Sequence, residues 1–263
     1  MVAGMYSSKI IKAGALLSDT KLLLEQWDVD ATVTANLGRF REENLFGKKS
    51  RSRVDDVLAV FRQRYLHDPD LLAALVILAQ GGSRSESLNR ILYFQATLSD
   101  RLLHDVVTEL LLPWSSRPDG RVQPWEVENW IAAQVVAGRT ERPWSSEVQR
   151  RVMQGLLATL RDFGLLEGAV HKRITSIYLP IDAFAFTALQ LRRHGLSGES
   201  LLHSSEWKLF FLGDQTIERF FLEAHQERLL QYHAAGRTTR IDFPADTLRE
   251  YACVLTQRAH PPA

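Results

Sequence analysis

With only one cysteine, Cys253, the chain has no intramolecular disulfide and no thiolate set for zinc, and it suits a reducing compartment. Long apolar runs are also missing. The longest, Leu71–Ala79, is nine residues, about half of the ~18 a bilayer span needs, so it reads as a core helix. Lys9 and Lys12 are followed by five small or apolar residues, Ala13–Leu17, short of the roughly 7–15 of a signal-peptide core, which gives a cytoplasmic expectation without a membrane partner. Neither charge dominates: 32 Lys and Arg against 31 Asp and Glu leave +1 over 263 residues, which excludes a uniformly basic nucleic-acid coat and an acidic tail protein. Any electrostatic function must come from local clustering.

Signatures of catalysis are absent as well. No phosphate-binding G-x-x-x-x-G-K-[ST] loop, G-x-G-x-x-G turn, H-E-x-x-H helix or G-x-S-x-G elbow occurs. Of eight histidines, no two stand at the i, i+3 or i, i+4 spacing that sets two metal ligands on one helix face. Asp68 and Asp70 bracket Pro69 at a predicted helix start, where acids favour the helix dipole, so capping is the better reading than a catalytic pair. The expectation is a protein that is not an enzyme and takes no cofactor.

What the sequence does have is the 3.6-residue rhythm of amphipathic helices. It predicts a mainly α fold with helices near 20–27, 33–44, 53–66, 69–80, 86–96, 100–112, 125–136, 146–163, 181–194, 215–226 and 245–255. Alternating residues at 174–179, and at 241–243 beyond the turn Ala235-Gly236-Arg237, predict two short hairpins, each after a helix, as in a winged helix-turn-helix. Two prolines and a glycine at 113–121 suit a linker between an N-terminal domain (1–112) and a C-terminal one (122–263).

The strongest local signal runs from Arg39 to Tyr65, with eight cations against four anions. Within it, Lys48, Lys49, Arg51 and Arg53 surround Ser50 and Ser52 just before a periodic helix that buries Val54, Val57, Leu58, Phe61 and Tyr65. Ser52 with Asp55 resembles a capping box, and Ser50 is the alternative cap. A helix N-terminus already attracts phosphate, and cations there oppose the dipole unless an anion comes, so this stretch is a candidate DNA contact. The helix before it ends near Gly47, giving helix, tight turn, helix. A solvated basic loop is the plain alternative.

A second candidate is the 146–163 helix, whose outer face carries Arg150, Arg151 and Gln154, donors suited to phosphates and base edges. Lys172 and Arg173 in the turn after it, and Arg237 and Arg240 in the later hairpin, are candidate wing contacts. Trp114, Trp125, Trp130 and Trp144 lack the spacing of a stacking ladder and read as packing residues.

These segments resemble the BrxA family of bacterial BREX phage-exclusion systems. The resemblance rests on Tyr6–Lys9, Glu43–Lys48 with Ser50–Arg53, Arg62–Leu66, Leu160–Gly168, Tyr178-Leu179-Pro180, and Glu223-Ala224-His225 leading to Tyr232-His233. It implies a part beside a methyltransferase and large ATPase-type partners in marking host DNA and blocking phage replication. Helix-turn-helix character in the family fits both basic segments, whereas its likeness to the antitermination factor NusB keeps RNA as a rival ligand. The expectation is a compact, mainly α binder of double-stranded DNA with helix-turn-helix or winged-helix-like units, with RNA binding or scaffolding of other BREX proteins as rivals.

Overall fold

The computed structural model describes residues 4–12, 14–236 and 238–259. Helices dominate. After a 3-10 turn at Ser8–Ile11 come α1 (Leu17–Glu25), α2 (Val33–Glu43), α3 (Arg51–Tyr65), α4 (Pro69–Gln80), α5 (Ser85–Ser99) and α6 (Arg101–Asp105). A π-helical stretch, Val106–Leu111, leads into the single turn α7 (Leu112–Trp114), then β1 (Arg121–Val122), α8 (Pro124–Val136) and α9 (Ser146–Asp162). The strands β2 (Leu166–Glu167) and β3 (Lys172–Ile174) precede α10 (Ile181–Arg193) and α11 (Glu199–Leu202). After a 3-10 helix at Ser205–Phe210 follow α12 (Asp214–Gln226), β4 (Gln231–Ala235), β5 (Thr238–Asp242) and α13 (Leu248–Ala259).

The chain forms two compact units, and it crosses between them several times. The first holds residues up to Thr20, Val33–Arg64 and Gln95–Ile177; the second holds Lys21–Thr32, Tyr65–Phe94 and the chain from Tyr178 onward. This division differs from the one read at 113–121. Those residues lie inside the first unit, because Arg121 and Val122 pair as β1 with Arg173 and Lys172 of β3 and so tie the proline-rich stretch to the chain beyond α9.

In the first unit α8 and α9 pack together, and α9 buries Val152, Met153, Leu156, Leu157 and Leu160. Ser145 caps α9 by accepting the Val148 N–H at 3.4 Å. The three-stranded antiparallel sheet has the order β1-β3-β2, so β1 lies beside the second strand of the hairpin that follows α9, which is the central strand of the sheet. The turn of that hairpin needs Gly168 at φ 88°, since a Cβ there would collide with the His171 carbonyl. The 3-10 turn packs against α9 at Gly155, where an added Cβ would come within 2.8 Å of the Ile10 carbonyl oxygen.

The core of the second unit is aromatic. Phe184 stacks on Trp207 at 4.7 Å between ring centres and meets Phe221 edge-on at 4.9 Å. The buried polar tips are satisfied: Trp207 Nε1 donates to the Leu201 carbonyl, Tyr93 to Leu209 and Tyr251 to Leu229. α4 and α13 pack side by side; Asp68 caps α4, and Asp70 accepts the N–H groups of Leu248 and Arg249 at the start of α13. The Asp68 and Asp70 pair is thus a pair of helix caps.

Candidate nucleic-acid interface

The basic stretch before α3 does not form one uniform cradle. Ser50 caps the helix, its Oγ accepting the Arg53 N–H at 3.3 Å, so the box expected at Ser52 gives way to its alternative. The loop is set by Asn44, whose amide oxygen accepts the Lys48 N–H at 3.0 Å and whose amide nitrogen donates to the Lys48 carbonyl at 2.8 Å. This brings the half-buried Lys48 ammonium to 2.8 Å from Asp19, an anion outside the stretch counted from sequence. Arg53 donates to the Lys12 carbonyl and stands 3.9 Å from Asp56. Arg41 clasps Asp55 with two hydrogen bonds, and that guanidinium holds the Asp55 carboxyl below the usual range. Lys49 and Arg51 are exposed, with no hydrogen bond or ion pair among the described residues; exposed Ser52 lies beside them. Of the four cations, two are therefore committed to the protein and two face solvent.

The second surface is better assembled. Arg150, Arg151 and Gln154 are all exposed on the outer face of α9. Among the described residues the one ion pair they make is Arg150 with Glu128 at 3.9 Å, on an Arg side chain that is 68% exposed. At that exposure and length the pair contributes little, so the guanidinium stays available.

The hairpin beyond α9 carries Lys172 and Arg173, but not as equals. Lys172 folds back on its own turn, donating to the Ala169 carbonyl at 2.9 Å, and burial together with nearby Arg161 lowers its pKa. Arg173 is exposed and stands directly opposite Arg121 across the β1-β3 ladder. On the other side of β3 Arg173 stands opposite Glu167 of β2, and Arg121 lies 3.5 Å from Asp119, so carboxylates of the fold flank this pair of like charges. The strand expected at 174–179 is shorter and earlier, at 172–174, and the Ile174 and Thr175 N–H groups carry the pairing on to the Gly120 and Leu165 carbonyls, just outside β1 and β2. Arg240 of β5 binds Asp242 at 2.6 Å and belongs to the second unit; Arg237 lies outside the described residues.

Two cations missed from the sequence border this surface. Gly155 is one helical turn from Arg151, so the 3-10 turn with its exposed Lys9 and the adjoining Lys12 runs along the edge of the α9 outer face. Lys12 is 71% exposed and 3.8 Å from Asp56 at the start of α3, placing it between the two basic segments of this unit. The close approach of two backbones at Gly155, and the register that sets Arg121 against Arg173, have no sequence-local signal.

Near these groups lies a buried charge cluster. Asp105, 2% exposed, accepts from Tyr6 Oη at 2.7 Å, Arg101 Nε at 2.6 Å and Arg139 Nη2 at 2.8 Å, with His104 Nδ1 at 3.0 Å. Burial pushes its carboxyl up, but the hydrogen bonds from His104, Arg101 and Tyr6 outweigh burial and hold it at about 2. Burial and the bond to Asp105 push the Tyr6 phenol far up, so it stays a neutral donor. The cluster pins Tyr6, two residues before the 3-10 turn.

The tryptophans serve different ends. Trp144 is buried and Trp130 stacks on Tyr6 at 6.1 Å, as packing residues do, whereas Arg117 covers Trp114 and Trp125 is 61% exposed.

A family model described as BrxA matches residues 4–191. No curated protein matches the chain. Among solved structures, one titled "SspB crystal structure" superposes with a TM-score of 0.50 at 11% identity, covering 98% of this chain and 88% of the other; at that identity the likeness concerns fold alone.

Proposed function

As a member of the BrxA family, this chain is a component of the BREX phage-defence systems, and we propose that it serves there as a non-enzymatic binder of double-stranded DNA. The segment from β1 to β3 is the proposed winged-helix unit, with α9 as the helix that enters the major groove and the 168–171 turn as its wing. The observation that carries this is the exposed row Arg150, Arg151 and Gln154 on a helix whose opposite face is buried, followed directly by a hairpin bearing Arg173 opposite Arg121. Arginines and glutamine are the side chains that bond guanine, adenine and phosphates in a groove. Lys9, Lys12, Lys49 and Arg51 extend the basic surface as phosphate contacts, while Lys48 and Arg53 chiefly order the loop before α3.

The second unit repeats the plan of helix then hairpin, yet the exposed face of α12 carries Asp214, Glu218 and Glu223 against Arg219. An acidic helix repels a phosphate backbone, so duplex recognition is assigned to the first unit.

Competition tests the assignment. Unlabelled duplex DNA is expected to displace labelled duplex at lower concentration than a structured RNA or a single strand of equal length. Preferential displacement by RNA would favour the loop- and shape-reading mode instead. No binding of any nucleic acid at about 100 mM salt would point to a scaffold for the other defence components.

A further inference from the structure

The second unit contains a cleft of about 590 Å³ between the end of α12 and the β4-β5 hairpin, within the size range of small-molecule sites. Its walls carry His225, Arg228, Gln231, His233 and Arg240, with Phe243 among the apolar residues. Among the described residues Asp242 is the one carboxylate on the lining, and it is engaged with Arg240 Nε at 2.6 Å. That contact orients Arg240 and leaves its terminal nitrogens for another acceptor. The two imidazole centres are 5.6 Å apart. The Tyr232 N–H donates to His225 Nδ1 at 3.3 Å, so the neutral His225 ring keeps its proton on Nε2 as a donor.

Arg228 is the most telling residue. It sits just past α12 at φ 57°, the left-handed position that ends helices and that glycine fills without strain. Its backbone closes the helix, the Arg228 and Leu229 N–H groups bonding the His225 and Ala224 carbonyls. Its side chain makes no hydrogen bond or ion pair among the described residues, so nothing in the fold accounts for an arginine there. The carbonyl of Glu227 is occupied by Arg258, which weakens the negative end of the helix beside the cleft.

We infer that this cleft binds a phosphorylated small molecule of nucleotide size, its phosphate gripped by Arg228 and Arg240 with His225 and His233 as further donors. Two guanidiniums bring two fixed positive charges, which match the higher charge and tetrahedral oxygens of a phosphate better than the single charge of a carboxylate, with the two imidazoles as further donors. Among the described residues no three His, Cys, Asp or Glu side chains stand close enough to hold a metal ion, so the paired imidazoles are assigned to the anion. The inference is independent of the duplex-binding proposal, which concerns the other unit.

Calorimetric titration of the full chain with inorganic pyrophosphate and with ATP tests it. Both are expected to bind, and Arg228→Gly to weaken binding by about tenfold, the loss of one charge-assisted hydrogen bond, while its thermal midpoint holds or rises because glycine relieves the left-handed strain. His233→Ala, on an exposed strand position, is expected to weaken binding with the fold intact and serves if Arg228→Gly does not fold. Affinity for a short duplex is expected to be unchanged in both. Absence of binding by either anion, or wild-type affinity in both variants, overturns the site. Loss of duplex affinity in Arg228→Gly without binding of the free anions also overturns it, showing the cleft to be a DNA-backbone contact.

Discussion

The fate of each cation before α3 depends on whether an anion is within reach, and sequence proximity does not tell this. Lys48 and Lys49 are neighbours, yet one is half-buried against Asp19 and the other faces solvent. Lys49→Ala is therefore expected to flatten the salt dependence of duplex binding, by about 0.9 in the log–log slope for one phosphate contact, and to leave the unfolding midpoint unchanged. Lys48→Ala should show the reverse, a lower midpoint and nearly the wild-type slope. Equal slopes in the two variants would refute the distinction. Asp105 illustrates a residue held for stability. Its folded carboxyl, near 2, lies below its ordinary value of 3.8, so its contribution is complete above about pH 4 and lost as pH falls toward 2. Asp105→Asn should cost about 3 kcal/mol near neutral pH, as expected when one partner of a buried ion cluster is removed, and should flatten the acid limb of a pH-dependent urea titration. An unaltered acid limb would assign that limb to other carboxylates.

At the scale of elements, α9 joins the two faces on which both the fold and the candidate site depend. Gly155→Ala is expected to cost about 1–3 kcal/mol, since the added methyl meets the Ile10 carbonyl and must displace the 3-10 turn from the helix. Urea unfolding would measure this, and a neutral substitution would mean that the turn is not fixed at that point. The helices themselves were legible because amphipathic periodicity reports burial directly; α9 and α12 bury the faces their sequences mark. The β1 strand was not, because two residues carry no period and Arg121 becomes a strand only through its long-range pairing with Arg173. The 113–121 stretch has the composition of a linker, and composition cannot show that the next residues pair with β3. Arg150, Arg151 and Gln154 were readable because a helix face is a local property; Lys9 and Lys12 were not, because their relevance comes from packing at Gly155.

Over the whole molecule, near-neutral charge is divided unevenly: the outer faces of two comparable helices, α9 and α12, carry opposite signs. Duplex affinity is then expected to depend on the first unit, and reversing an acid of α12, as in Glu218→Lys, should raise non-specific binding without creating site preference. The most direct measurement is the salt dependence of duplex binding by the full chain and by a variant carrying Arg150→Ala and Arg151→Ala. If α9 meets the phosphate backbone, the log–log slope falls by about 0.9 for each lost contact and affinity drops with it. An unchanged slope and affinity in a folded variant would remove α9 from the interface.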